Sequence, residues 1–156
     1  METSSWASSS RVASVMRGNR SRDTEPELAV RRILHAQGLR YRVNIRPLPL
    51  LRRTADIVFT AKHIAVFIDG CYWHGCPEHY VASKSNRNYW DAKITANRAR
   101  DNETTVLLSK AGWIVLRYWS HVPPEEVANS IREHVAVARR IASLPALPMP
   151  RPRQPH

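Results

Sequence analysis

The stretch that most constrains the fold is Ile64-Ala65-Val66-Phe67-Ile68, an all-apolar run closed by Asp69. Such a run reads as a central strand, buried on both faces and therefore in need of cover on each side. The flanking sequence supplies neighbours for it. Leu39, Tyr41, Val43 and Ile45 alternate with Arg40, Arg42 and Asn44, which predicts a strand with one buried and one basic face. A loop over 47–53 leads into a second strand at Ala55–Phe59, and Trp113–Trp119 reads as a fourth, with Trp113 and Trp119 as core residues. Helices are marked by their ends. Thr24-Glu25-Pro26-Glu27 has the form of a capping box with Pro in the first turn, opening a helix that runs to about Gln37 and stops at Gly38. A long helix is predicted from about Asn88 to Lys110, ending at Ala111-Gly112. After Pro123-Pro124, Val127, Ile131, Val135 and Ala138 step by about a helical turn. The order α-β-β-β-α-β-α predicts an α/β fold, a small mixed sheet flanked by helices.

The 156 residues suffice for one domain. Residues 1–22 are rich in Ser and Arg with few apolar positions and are expected to form a flexible basic arm. Residues 144–156 hold five prolines in thirteen positions, which excludes regular structure and predicts a disordered tail. The folded domain is thus expected at 23–143. No stretch approaches the 18 or so apolar residues of a membrane span, and the start lacks the basic and apolar signature of a secretory signal. A cytoplasmic protein with no membrane partner is the expectation.

Charge narrows the partner. The net charge is +11, and between Arg11 and Arg53 eleven arginines face only three acids. So dense an arginine field suits a polyanion, most often nucleic acid, although a solubilising surface gives the same count.

Four groups of residues carry chemistry. Asp56 interrupts the apolar strand Ala55-Asp56-Ile57-Val58-Phe59, where a carboxylate is costly unless it meets a cation or an arginine. Asp69 ends the next strand, and two carboxylates at one sheet edge form an oxygen-ligand site of the kind Mg²⁺ prefers. Cys71, Cys76 and His79, with His121 after the fourth strand, could form a closed Cys₂His₂ zinc site or be ordinary thiols and surface histidines. His74 lies between the cysteines and could accept a proton from water if an acid oriented it. Asp101, on one helix face with Lys93 and Asn97, is a candidate partner. Tyr72 and Trp73 are paired aromatics able either to fill core or to wedge between bases.

These residues resemble the very short patch repair (Vsr) endonucleases, a branch of the restriction-endonuclease-like fold. The likeness rests on Met16-Arg17-Gly18-Asn19, Arg22-Asp23-Thr24-Glu25-Pro26-Glu27-Leu28, Leu39-Arg40-Tyr41-Arg42-Val43, Ala55-Asp56-Ile57-Val58-Phe59, Asp69-Gly70-Cys71-Tyr72-Trp73-His74-Gly75-Cys76, Tyr89-Trp90 with Lys93, Asn97-Arg98-Ala99-Arg100-Asp101 and Gly112-Trp113-Ile114-Val115. The resemblance implies a Mg²⁺-dependent endonuclease that nicks one DNA strand 5′ of the thymine in a T·G mismatch left by deamination of 5-methylcytosine. It implies Asp56 and the Ile68 carbonyl as Mg²⁺ ligands, His74 with Asp101 as the catalytic pair, and Glu27 as an active-site acid. Asp69 stands where some members carry a histidine and would add a Mg²⁺ ligand. Cys71, Cys76 and His121 fall at the structural zinc site, His121 in place of a cysteine, and His79 is left as the fourth ligand. Met16, Tyr72 and Trp73 correspond to residues that enter the DNA stack; Arg17, Arg22, Lys93 and Asn97 are expected to contact the DNA as well. A monomer acting with a cytosine-5 methyltransferase and a repair polymerase is expected. Two alternatives stay open: a restriction-type endonuclease acting on matched or modified DNA, and a zinc-stabilised DNA-binding module without catalysis.

Overall fold

The computed structural model describes residues 23–71, 74–79, 82 and 84–145. The expected arm, most of the expected tail, and with them Met16, Arg17, Arg22, Tyr72 and Trp73, lie outside the described residues. Helix α1 (Glu25–Ala36) is followed by strands β1 (Arg42–Ile45), β2 (Ala55–Phe59) and β3 (Ile64–Asp69). Then come α2 (Arg87–Lys110), β4 (Ile114–Trp119) and α3 (Pro124–Ala142). The sheet order is β1-β2-β3-β4, antiparallel except for the parallel pair β3–β4, whose crossover carries α2.

Both faces of β3 are covered, as its apolar run requires. On one side Ile57, Ile64, Val66 and Leu116 pack with Val30 and Leu34 of α1 and Val127, Ile131 and Val135 of α3. On the other, Val58, Ala65 and Phe67 meet Leu108 of α2 and Trp113. The helical step read at Val127, Ile131 and Val135 is the buried stripe of α3, with Ala138 packed against it.

Three local expectations are corrected. Glu27 does not close a reciprocal capping box: Thr24 has no side-chain cap bond, and Glu27 instead accepts the Thr24 hydroxyl (3.0 Å) and the Asp23 N–H (2.8 Å). Asp23 adopts φ 55°, which turns its amide toward the carboxylate ahead. The alternation over 39–45 also breaks. Leu39 and Tyr41 pack on the core, whereas Val43 is 39% exposed on the edge strand and Asn44 leaves extended geometry at φ 50°. Among the tryptophans, Trp113 is buried just ahead of β4 and Trp119 only half-buried, while Trp90 of α2 takes the second core place.

Candidate active site

Asp56 sits where β2 and β3 cease to pair backbone to backbone. Their register runs through Phe59↔Ile64, Val58↔Ala65 and Ile57↔Val66. One step further, the Asp56 carboxylate accepts the Ile68 N–H at 2.6 Å. Burial pushes the Asp56 carboxyl up to about 7; the Ile68 N–H and Arg31 oppose this, and the charges of Glu27 and Asp69 add to it. Such a carboxylate is under-compensated, and a divalent cation would relieve it, so Asp56 has the chemistry of the Mg²⁺ ligand expected there, with the Ile68 backbone alongside it.

Asp56 opens into a cleft of about 760 Å³ lined also by Glu27, Asp69, His74, Asp101 and Arg117, with Arg52, Arg53 and Arg100 along it. A lining that combines these acids with arginines suits a phosphodiester chain held against a cation. Arg53 is braced to α2 through the Thr104 hydroxyl (2.9 Å) and the Arg100 carbonyl (3.3 Å).

His74 and Asp101 are brought together across 27 residues: the imidazole Nδ1 is hydrogen-bonded to Asp101 Oδ2 and lies 3.9 Å from Asp69 Oδ1. Ligand atoms of Asp69, His74 and Asp101 lie within 4.8 Å of one another. Burial alone would lower the His74 imidazole, but the Asp101 bond and the charges of Asp69 and Asp101 outweigh it and raise it above the ordinary histidine value. Burial likewise raises the Asp69 carboxyl, against the opposing charge of Arg117.

The loop carrying His74 is held from two sides. Its backbone turns on itself through His74 N–H to the Gly70 carbonyl (3.2 Å) and Cys76 N–H to the Cys71 carbonyl (2.8 Å). Arg98 of α2 donates to the carbonyls of His74 (3.0 Å) and Gly75. Gly75 has φ 63°, and a Cβ there would stand 2.7 Å from Arg98 Nη2 and 2.8 Å from Ile94 Cγ2, so any larger residue is strained and must displace those side chains.

At the far end of the loop, ligand atoms of Cys71, Cys76, His79 and His121 all lie within 4.8 Å of one another. Tetrahedral zinc with ordinary Zn–S and Zn–N bonds places S and N ligands about 3.6 Å apart. Here Cys71 Sγ is 3.2 Å and Cys76 Sγ 3.6 Å from His121 Nδ1, and Cys76 Sγ is 3.7 Å from His79 Nδ1. The four residues therefore fit a zinc ion. Glu78 lies 3.6 Å from His121 Nε2, on the side of the imidazole away from the two cysteine sulfurs that approach Nδ1. Burial would raise the Cys76 thiol, but hydrogen bonds from His79, from the Glu78 and His79 backbone and from Cys71 lower it below the ordinary value, toward the thiolate a metal binds.

Glu27 is buried and held by Asp23, Thr24 and Arg31, whose Nη2 lies 3.2 Å away. Lys93 of α2 is exposed, with its ammonium 5.9 Å from the Tyr89 ring and 5.7 Å from the Trp90 ring, and Asn97 is half-buried on the same helix. Four residues of the site were not singled out from sequence. Arg117 is the one charge in Ile114–Trp119, the same signal that marked Asp56. Arg31 falls within the buried stripe of α1 and reaches the Asp56 carbonyl at 3.4 Å. Glu78 adjoins His79, and Arg98 carried no signal of its own.

Carboxylates at separating strand ends, an imidazole oriented by a second acid, and arginines along the same cleft define a phosphodiester-cleaving site of the nuclease type. The family model described as DNA mismatch endonuclease Vsr matches residues 5–79. The chain is 42% identical over 118 residues to the type II nicking enzyme V.NaeI of Lentzea aerocolonigenes, covering 74% of this chain and 69% of that one. It is 42% identical over 107 residues to the type II nicking enzyme V.XorIIP of Xanthomonas oryzae pv. oryzae, covering 67% and 76%. It is 32% identical over 105 residues to the DNA mismatch endonuclease Vsr of Escherichia coli K12, covering 67% and 65%. The chain belongs to the Vsr family and is a DNA endonuclease. No helix among the described residues is long and apolar enough to cross a membrane.

Proposed function

We propose that this endonuclease nicks one strand of duplex DNA 5′ of the thymine in a T·G mismatch, the lesion left when 5-methylcytosine deaminates. The observation that carries the reading is the His74–Asp101 pair facing the same cleft as the under-compensated Asp56. Mg²⁺ bound by Asp56 and the Ile68 carbonyl would supply charge neutralisation at the scissile phosphate and the leaving oxygen. Asp101 keeps a proton on His74 Nδ1, which leaves Nε2 to take a proton from the attacking water. Glu27 adds negative charge beside Asp56 while Arg31 limits it. Cys71, Cys76, His79 and His121 would hold zinc as a scaffold, fixing the loop that carries Tyr72, Trp73 and His74. Met16, Tyr72 and Trp73 enter the base stack beside the mismatch, where unstacking is least costly. Arg17, Arg22, Lys93 and Asn97 contact the duplex, phosphate contacts giving affinity that falls steeply with salt. The protein acts as a cytoplasmic monomer, downstream of a cytosine-5 methyltransferase and upstream of a repair polymerase.

The test uses end-labelled T·G duplexes beside matched T·A controls, in several sequence contexts, with Mg²⁺ present. A single nick 5′ of the mispaired thymine supports the reading. Equal cutting of the T·A duplex would instead identify a restriction-type activity, and no Mg²⁺-dependent product a non-catalytic module. Trp73→Ala should lose mismatch preference more than plain duplex affinity.

A further inference from the structure

The Arg117 guanidinium lies on the α2 face of the sheet, partly buried, with nearly every donor engaged. Its Nε donates to the Thr105 hydroxyl (2.9 Å), and Nη1 lies 3.0 Å from Asp69 Oδ1 and 3.1 Å from Oδ2. Its Nη2 donates to the Asp101 carbonyl (3.2 Å), and Nη1 is 3.8 Å from Asp101 Oδ1. The guanidinium carbon sits 4.2 Å from the Phe67 ring centroid, a cation–π contact on the side of β3. Arg117 thereby ties β4 and the end of β3 to the turn of α2 that presents Asp101 to His74.

We infer that Arg117 is the positioning residue of the His74–Asp101 pair, and that Asp69 serves as its counter-ion rather than as a metal ligand. This rests on the reading of the site above. Both Asp69 oxygens already accept from Arg117. An ion on that carboxylate, bound at about 2.1 Å as Mg²⁺ requires, would stand within about 5 Å of the guanidinium, cation against cation. Surrendering Asp69 would also strip a mostly buried arginine of its closest anion. Asp56 has no arginine on its carboxylate oxygens among the described residues and stays available to the ion. Within the pair, Arg117 anchors the Asp101 backbone and stands near Oδ1, which leaves Oδ2 to hold the imidazole.

The test compares Asp69→Asn, Arg117→Gln, Arg117→Lys and the double variant D69N/R117Q with the unsubstituted protein. One readout is Mn²⁺ affinity of the DNA-free protein, followed by electron paramagnetic resonance; the other is single-turnover nicking of bound T·G duplex together with duplex Kd. Asp69→Asn should keep Mn²⁺ affinity within about threefold, and Arg117→Gln should slow nicking by about 100-fold with Kd little changed, the signature of lost orientation. Arg117→Lys should recover only part, because an ammonium lacks the planar fork. The double variant should be no slower than Arg117→Gln alone, since each change removes the same pair. A tenfold or greater loss of Mn²⁺ affinity in Asp69→Asn, or rate losses that multiply in the double variant, would overturn the inference. Asp56→Asn is the control for the underlying reading. If it retains Mn²⁺, the metal assignment fails, and the Arg117 inference is then decided by the double variant alone.

Discussion

Replacing Asp56 with Asn removes a charge that burial holds at an unfavourable energy, and the consequence can be sized. The carboxyl is raised from 3.8 to about 7. At about 1.4 kcal/mol per unit, ionised Asp56 costs the metal-free fold up to about 4 kcal/mol above pH 7. The side chain is half-buried and opens into the cleft, so water relieves part of this, and about 2 kcal/mol is the working figure. Because the folded value exceeds the unfolded one, the fold loses this contribution as pH rises from about 4 to 7 and nothing further above that. An amide stays neutral throughout, and its oxygen can still accept the Ile68 N–H. Asp56→Asn should therefore unfold about 8 °C higher than the unsubstituted protein at pH 8 in chelator, a value worked from about 2 kcal/mol over roughly 120 ordered residues. The gap should shrink continuously toward pH 4. Scanning calorimetry of both proteins across that range measures it. Added Mg²⁺ should raise the midpoint of the unsubstituted protein at pH 8 and leave the variant unmoved, while the variant loses Mg²⁺-dependent nicking. A variant that is less stable at pH 8, or a gap that does not change with pH, would refute the electrostatic account of this carboxylate.

Cys76→Ser should reduce bound zinc from about one per chain to a small fraction, read by a colorimetric chelator assay after unfolding, and should lower the unfolding midpoint in step with it. Stripping zinc from the unsubstituted protein with a zinc-selective chelator, Mg²⁺ kept in excess, should lower the midpoint in the same way. Gly75→Ala meets both a φ of 63° and the Arg98 and Ile94 side chains, so it should cost about 1–3 kcal/mol and slow nicking more than duplex binding. Calorimetry and single-turnover rates check the two halves, and a neutral outcome would show that the loop can yield. Leu34→Ala, at a fully buried position between α1 and the sheet, should cost about 2–5 kcal/mol in denaturant titrations with the slope unchanged.

The amino-acid order by itself determined the elements and the chemical inventory. An apolar run at Ile64–Ile68 can be satisfied only by cover on both faces, and the step of Val127, Ile131 and Val135 names one of the covering helices. Asp56 stood out because a carboxylate in an apolar strand is expensive without a reason. Val43 and Asn44 were misread because alternation describes a pleat, and an edge strand that turns at φ 50° has left it. Tertiary structure decided the partnerships. His74 meets Asp101 across 27 residues and Cys71 meets His121 across 50, distances in sequence over which periodicity carries no information. The parallel pairing of β3 with β4 sets Asp69 beside Trp119, two residues beyond Arg117, and brings His121 to the loop that follows Asp69. Whether a buried charge is a ligand, a base or a counter-ion depends on which opposite charge the packing sets beside it, and that is a property of the folded chain alone.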